Sequence, residues 1–316
     1  MKTIVSSVLK FLIVVAVLTL SQSCTQSSDH GPQTGETEFK ITNNPLDDAN
    51  IRGVFITVSD IKVNDNSVAG FQRQTINLKD FEDGNTKSMA TTLLAAIPHS
   101  DLTLVLDAGT DDKGQSPGCY VTTFSDDIKY ALSNEQSINI GINTEWNVNS
   151  NKKSAVVIDF DIRKAIVQVE DPAIRYAFAS LENLQGAARI LDEKAAGMIM
   201  GNFYSAEGVP VSRVIVYVYK KSSFNPTTEI EPQGEDKTLF RNAVTSTELV
   251  EGPISKVFKL DFLKEGDYQL YFATYTTGDY PVFTGILNTE ITSGETSAGV
   301  VAVPAGWTAN VIVMAK

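Results

Sequence analysis

Apolar residues along most of this chain recur at every second position, the spacing that sends successive side chains to opposite faces of a strand. Phe39 and Ile41 alternate with polar neighbours until Asn43-Asn44-Pro45 ends the run. Val54, Ile56 and Val58 share one face, whereas Ile61 and Val63 fall in the opposite phase. A β-bulge near Ser59-Asp60 would return all five to one core. Asn64-Asp65-Asn66-Ser67 reads as a turn, and Ile76 and Leu78 follow on a strand. Leu102, Leu104 and Leu106 mark another strand, joined by the loop Gly109 to Gly118 to one at Cys119–Phe124. Ile138, Ile140 and Ile142, then Val156, Ile158, Phe160 and Ile162, mark two more. Only Met89–Ile97 and Pro172–Gln185 leave room for a helical turn or two. After Asp192–Gly197 the pattern restarts. Val214, Val216 and Val218 form a purely apolar face, with Ile215, Tyr217 and Tyr219 opposite; Tyr271 and Tyr275 stand in the same relation to Leu270 and Phe272. The valine face makes the better core, so the tyrosine face is expected to point outward or lie under a loop. Many short strands between turns predict an all-β chain of two β-sandwich domains, residues 38–191 and 196–316.

The first residues have a different texture. Lys2 and Lys10 precede an apolar run from Phe11 to Leu20, about half the roughly 20 residues that span a bilayer. Residues 1–23 therefore read as a secretory signal peptide. Ser21-Gln22-Ser23 leads into Cys24, and this resembles the lipobox of bacterial lipoproteins, with Leu20 four residues before the cysteine where the family prefers three. The resemblance implies cleavage before Cys24 and acylation of its thiol. It places the chain in the outer membrane as a Bacteroidetes-like envelope lipoprotein, on the periplasmic face or the cell surface. Residues 24–37 would be the lipidated cysteine and a flexible tether, because Thr25–Thr37 holds no apolar residue to bury.

A net charge of −12, which loss of Lys2 and Lys10 would make more negative, opposes binding to phosphate backbones and excludes nucleic acid as a partner. Two cysteines are present. With Cys24 acylated, Cys119 has no partner for a disulfide and is expected to be a small buried strand residue.

Catalytic chemistry is thin. Gly114-Gln115-Ser116-Pro117-Gly118 matches the G-x-S-x-G of serine hydrolases. However, an oxyanion hole needs the N–H after the serine, and Pro117 has none. An elbow also leads into a helix, whereas Cys119 onward reads as a strand. The two histidines, His30 and His99, both precede Ser116. Two histidines and one spare thiol do not make the usual zinc sites. Asp107, Asp111 and Asp112 crowd one loop and form a weak candidate for calcium, without the spacing of an EF-hand. Asp159 and Asp161 share a strand face, where Arg163 and Lys164 offer ion pairs in place of acid/base work. Tyr217, Tyr219, Tyr271 and Tyr275, with Tyr280 nearby, could stack on sugars if exposed. The long loop from Ser222 to Gly234, with Pro226 and Pro232, is the best candidate for a contact surface.

Asp47-Asp48-Ala49, Val54–Val58, Leu102–Leu106 and Asp159–Lys164 resemble, in order and spacing, the bacterial lipoprotein family of domain of unknown function 4382, across Phe39 to Leu191. That resemblance implies an all-β envelope domain of unestablished biochemistry; many members carry Asp-Ala-Pro where this chain has Asn43-Asn44-Pro45. Gly201, Gly208, Pro210 and the valine strand, with Glu265-Gly266-Asp267-Tyr268 downstream, resemble carboxypeptidase-regulatory, transthyretin-like domains across Ala196 to Lys316. Such domains imply an accessory sandwich without chemistry, although Glu265 stands where the family has proline. The expectation is a non-enzymatic, cofactor-free binding or assembly protein held to the membrane by its lipid. Its partner would be an envelope protein or, as the alternative, a glycan of a polysaccharide-uptake system.

Overall fold

The computed structural model describes residues 33–316, apart from positions 47, 172, 210, 232–237, 279–280 and 295. The expected signal peptide, Cys24, His30 and the expected tether as far as residue 32 lie outside the described residues, as do Asp47, Pro210, Pro232 and Tyr280. Thr34–Lys316 forms one compact unit.

Strands dominate it, as the alternation requires. In the first half, one sheet runs in the order Ala188–Asp192, Lys153–Phe160, Thr34–Thr42, Lys87–Ala95. Thr34–Thr42 lies parallel to Lys153–Phe160 and antiparallel to Lys87–Ala95. A second sheet has Ile51–Val63 at its centre, between Tyr120–Thr123 and Pro98–Asp107, with Ser137–Asn147 beyond. Phe39 and Ile41 from the first sheet pack with Val54, Leu104 and Ile140 from the second in a single core. The bulge is present: register against Pro98–Asp107 slips between Val58 and Asp60, and Val54, Ile56, Val58, Ile61 and Val63 are all buried.

Three local expectations are corrected. Residues 34–37 are not tether, because the first strand starts at Thr34. Polarity misled here; backbone pairing on both sides and the Lys153–Glu36 ion pair at 2.7 Å order this stretch without apolar burial. Met89–Ile97 holds no helical turn but an edge strand, Lys87–Ala95, with Leu93 67% exposed. Ile162 leaves its strand, which stops at Phe160, and opens a short turn of helix, Ile162–Ala165, capped by the Asp161 carboxylate. The other helical expectation holds in part: Leu181–Gly186 is a short helix capped by Ser180.

The second half begins at Gly197. One sheet runs Val250–Glu251, Lys256–Leu263, Gly197–Ser205, Thr308–Ala315, Thr289–Ser293, Thr296–Ser297. The facing sheet runs Thr245–Glu248, Arg213–Lys220, Gly266–Tyr275, Phe283–Ile286, with Val301–Val303 also on Gly266–Tyr275. Val214, Val216, Val218, Leu270 and Phe272 meet Ile199, Phe203, Val311 and Val313 between the sheets, so the valine face is the core. Gly201 is glycine because a β-carbon there would sit 2.1 Å from the Phe258 ring. Residues 193–196 between the halves are tied down rather than loose: Ala196 N–H donates to Asp192 O at 2.9 Å, and Lys40 pairs with Glu193 at 2.9 Å.

Candidate functional site

The four candidate tyrosines do not form an open platform. Tyr217, Tyr219 and Tyr275 are buried, and Tyr271 is half-buried. They do share one face, but the segment following Lys220 folds back over it. Asn225 caps a short helix, Pro226–Glu229, which brings Glu229 under the sheet. Its Oε2 accepts from the Tyr219 hydroxyl at 2.6 Å and from Asn242 N–H at 3.0 Å. Phe240 stacks on Tyr217 and Phe224 on Tyr271, each with ring centroids 3.9 Å apart. The Tyr217 and Tyr275 hydroxyls lie 2.7 Å from each other. The result is a second, smaller core outside the sandwich. Of the two outcomes expected for that face, cover by a loop is the one found, and outward rings are corrected. Aromatic rings bury too much area and stack too well to stay bare beside a segment carrying Phe224 and Phe240. Phe224, Glu229 and Phe240 thus make the segment a lid on its own domain, while Ser222, Ser223 and Asn225–Thr228 of the candidate loop stay exposed.

The same lid anchors the first half of the chain. Arg163, 3% exposed, sends Nη1 to Phe240 O at 2.6 Å and Nη2 to Asp161 Oδ2 at 2.8 Å, with its guanidinium 5.4 Å from the Tyr217 ring centre. Lys164 Nζ donates to Ala243 O at 2.7 Å, and the Thr245 hydroxyl donates to the side-chain oxygen of Asn44. Burial alone would raise the Asp161 carboxyl; the Arg163 and Lys164 cations outweigh it and hold the group below the ordinary value. Asp159 goes the other way. Its burial, reinforced by the charge on Asp161, raises it despite Arg189 at 2.6 Å. Both acids are therefore engaged in ion pairs, Asp159 through Arg189, a partner that sequence spacing did not point to. The role of Arg163 across the junction was also missed; the only hint was a dense run of charges closing an apolar strand.

The acidic loop is spent on itself. Asp107 Oδ1 accepts from the N–H groups of Gly109 and Thr110, both at 2.9 Å, and Oδ2 faces Arg73 Nη1 at 2.9 Å. Asp111 Oδ1 accepts from Gln115 N–H at 2.7 Å and Lys113 N–H at 3.0 Å; the Gln115 bond is the main cause holding this carboxyl below its ordinary value. Asp112 is exposed. Ser116 is exposed in the same loop, and strand Tyr120–Thr123 follows it. Cys119 is fully buried just before that strand, and burial pushes its thiol up to about 12, so it holds its proton at neutral pH. Among the described residues, no group of three or more His, Cys, Asp or Glu gathers to hold a metal ion.

The second sandwich leaves its other outer face open. Along Gly197–Ser205 and Thr308–Ala315 the outward positions include Met200, Ile312 and Met314, which are 43%, 50% and 40% exposed. Val250 and Trp307 add further exposed apolar surface at the ends of neighbouring strands. A groove of about 520 Å³ crosses this face, with Met200, Val257 and Ile312 in its floor and Asp83, Glu248 and Lys259 among its polar groups.

The first sandwich has a recognisable pattern over most of its length. Residues 34–178 match the family of domain of unknown function DUF4382. The match opens at the first strand and covers the Asp161–Arg163 turn that grips the second half. No curated protein matches the chain. Among solved structures, a leucine-rich repeat protein from Bacteroides thetaiotaomicron is 14% identical with a TM-score of 0.21 over 89% of this chain, which spans 26% of that protein's length. The major pilin T-13 of Streptococcus pyogenes is 8% identical over 90% of this chain and 97% of its own, TM-score 0.21. GBS52, a minor pilin of Streptococcus agalactiae, is 10% identical over 89% and 95%, TM-score 0.21. Scores this low do not amount to a shared fold, and nothing about this chain follows from them. Among the described residues, no helix is long and apolar enough to cross a membrane.

Proposed function

We propose that this chain is a lipid-anchored, non-catalytic binding or assembly protein of the cell envelope, fixed by acylation at Cys24 and engaging an envelope protein through the open face of its second sandwich. The observation that carries the reading is that face. Exposed apolar side chains rimmed by polar groups mark interaction sites in soluble domains, and here Met200, Val250, Ile312 and Met314 stand exposed on one sheet among Asn202, Asn310 and Lys259. Asp83 and Glu248 stand at its polar edge with Lys259, which is itself paired with Asp261, on an acidic chain, so the complementary partner surface is apolar with polar flanks that include basic groups. The transthyretin-like likeness of residues 196–316 fits an accessory module that presents a surface. A glycan platform is not carried forward, because its tyrosines lie under the lid.

Envelope fractionation tests this. A Cys24→Ala chain should lose acyl labelling yet keep part of its association with washed envelope fragments through the open face. Adding Met200→Glu and Ile312→Glu should release it to the soluble fraction. If Cys24→Ala alone releases all of the protein, or the double change releases none, the reading fails.

A further inference from the structure

In the second sandwich, the edge of strand Gly266–Tyr275 that faces away from Arg213–Lys220 is covered in two pieces. Val301–Val303 pairs with Gly266 to Tyr268, and Phe283–Ile286 with Ala273 to Tyr275. Between these pieces the chain belongs to the other sheet, where Thr289 pairs with Ala315 and Ser297 with Thr292. Leu270 is left at the gap. Alternate residues of a strand send N–H and C=O to opposite sides within the sheet. The carbonyl of Val218, which stands opposite Leu270, accepts from Val244 N–H at 2.6 Å on its far side, and the Phe272 carbonyl accepts from Leu287 N–H at 2.8 Å on the near edge. Both observations aim the N–H and C=O of Leu270 at the gap, where neither has a partner among the described residues. Leu270 is 6% exposed, and buried backbone groups are ordinarily paired. A cleft of about 550 Å³ opens at this point, with Leu270, Tyr271, Leu287, Asn288, Ile291 and Gly299 in its walls. Glu290 and Lys316, also on its wall, pair with each other at 2.6 Å and so balance their charges.

We propose that this cleft binds a short extended peptide as an added piece of strand, one residue of which exchanges both backbone hydrogen bonds with Leu270. An extended residue carries its N–H and C=O on the same side, which is what Leu270 presents. The trans amide of an N-acetylated sugar points the two groups in opposite directions and could meet only one. Residues directly opposite in an antiparallel pair share a face. The pairing residue therefore sends its side chain, with that of Leu270, toward Leu287 and Ile291, which pack on the sandwich core. That residue is apolar and is not proline, and the balanced Glu290–Lys316 pair selects no net charge on its neighbours. The cleft is separate from the open face and does not depend on it.

Nuclear magnetic resonance on the full chain carrying isotope-labelled leucine tests this; the Leu270 amide signal is the one missing from Leu270→Ile. The probe is the capped peptide acetyl-Ser-Thr-Val-Thr-Ser-amide. It should move the Leu270 signal in a saturable titration, as a new hydrogen bond from that N–H requires. The same peptide methylated on the valine nitrogen cannot donate to the Leu270 carbonyl and should bind at least about tenfold more weakly. Gly299→Trp should abolish the response, because a β-carbon there meets open space and the ring would fill the cleft. Met200→Glu, on the open face, should leave the response unchanged. A flat titration overturns the site, as does equal binding of the methylated peptide, a response that survives Gly299→Trp, or one lost in Met200→Glu. Should Gly299→Trp fail to fold, Ser297→Arg, at an exposed position on the same wall, replaces it with the same two outcomes. A response to N-acetylglucosamine with none to the peptide would assign the cleft to a sugar and overturn the proposal.

Discussion

The two outer faces of the second sandwich meet opposite fates: aromatic side chains crowd one, while on the other Met200, Ile312 and Met314 stand among Asn202, Asn310 and Lys259. On Arg213–Lys220 and Gly266–Tyr275, Ile215, Tyr217, Tyr219 and Tyr275 are buried beneath the chain's own lid. On Gly197–Ser205 and Thr308–Ala315, Met200, Ile312 and Met314 stand open. The difference lies in the connections. Residues 221–244 are long enough to cross a sheet and bring Phe224, Glu229 and Phe240 to match the tyrosines, whereas the turns around the open face are short. The Tyr219 hydroxyl also needs a buried partner, which the folded-back segment supplies in Glu229; methionine and isoleucine need none and can await an external surface. A covered face holds the fold together, and an open one is available for contact.

The comparison can be broken most severely at the lid's anchor. Arg163→Met strips the buried Asp161 of the nearer of its two counter-charges, leaving Lys164, and takes the donor from the Phe240 carbonyl; it should cost about 3–5 kcal/mol in urea unfolding. A loss under about 1 kcal/mol would mean that the lid does not depend on the first sandwich. Tyr217→Ala removes a stacked, fully buried ring and should cost about 3 kcal/mol, whereas an exposed ring would cost no more than about 0.5 kcal/mol. Tyr219→Phe leaves the buried Glu229 carboxylate one donor short, for about 1–3 kcal/mol.

A smaller effect distinguishes the two acids under the lid. Asp161 is held below its ordinary value, so its contribution is present above the unfolded value of 3.8 and is lost as pH falls through the folded one. Asp159 is raised, so its protonation favours the fold, and this contribution fades as pH rises through its folded value. Asp161→Asn should therefore flatten the acid limb of a stability–pH curve, and Asp159→Asn should steepen it. The same direction for both would contradict the assignment of their partners. Least of all should be felt on the open face, where Met314→Ser is expected to move stability by no more than about 0.5 kcal/mol.

Much of this architecture was legible as period-two alternation, down to the bulge at Ser59-Asp60, because a strand with one face in the core must repeat that way. The valine core face was readable for the same reason. What could not be read was what covers the remaining faces. Tyr217 alternates correctly whether water, a ligand or Phe240 lies above it, and the choice depends on contacts between residues far apart in the chain. Thr34–Thr37 was hidden for a related reason: strand pairing through the backbone leaves no apolar signature. Arg163 reaches a carbonyl at Phe240, and no local spacing encodes that distance.

In the envelope, the open face should be occupied. Ile312→Cys provides the most direct test, with Asn134→Cys, on an exposed loop of the first sandwich, as the reference. Labelling rates with a thiol reagent should be compared between the purified protein and isolated envelope fragments. The account predicts that Ile312→Cys reacts readily when purified and is protected several-fold in the envelope, while Asn134→Cys reacts alike in both. Equal labelling of Ile312→Cys in the two settings would show the face bare where the protein works, and would contradict the account.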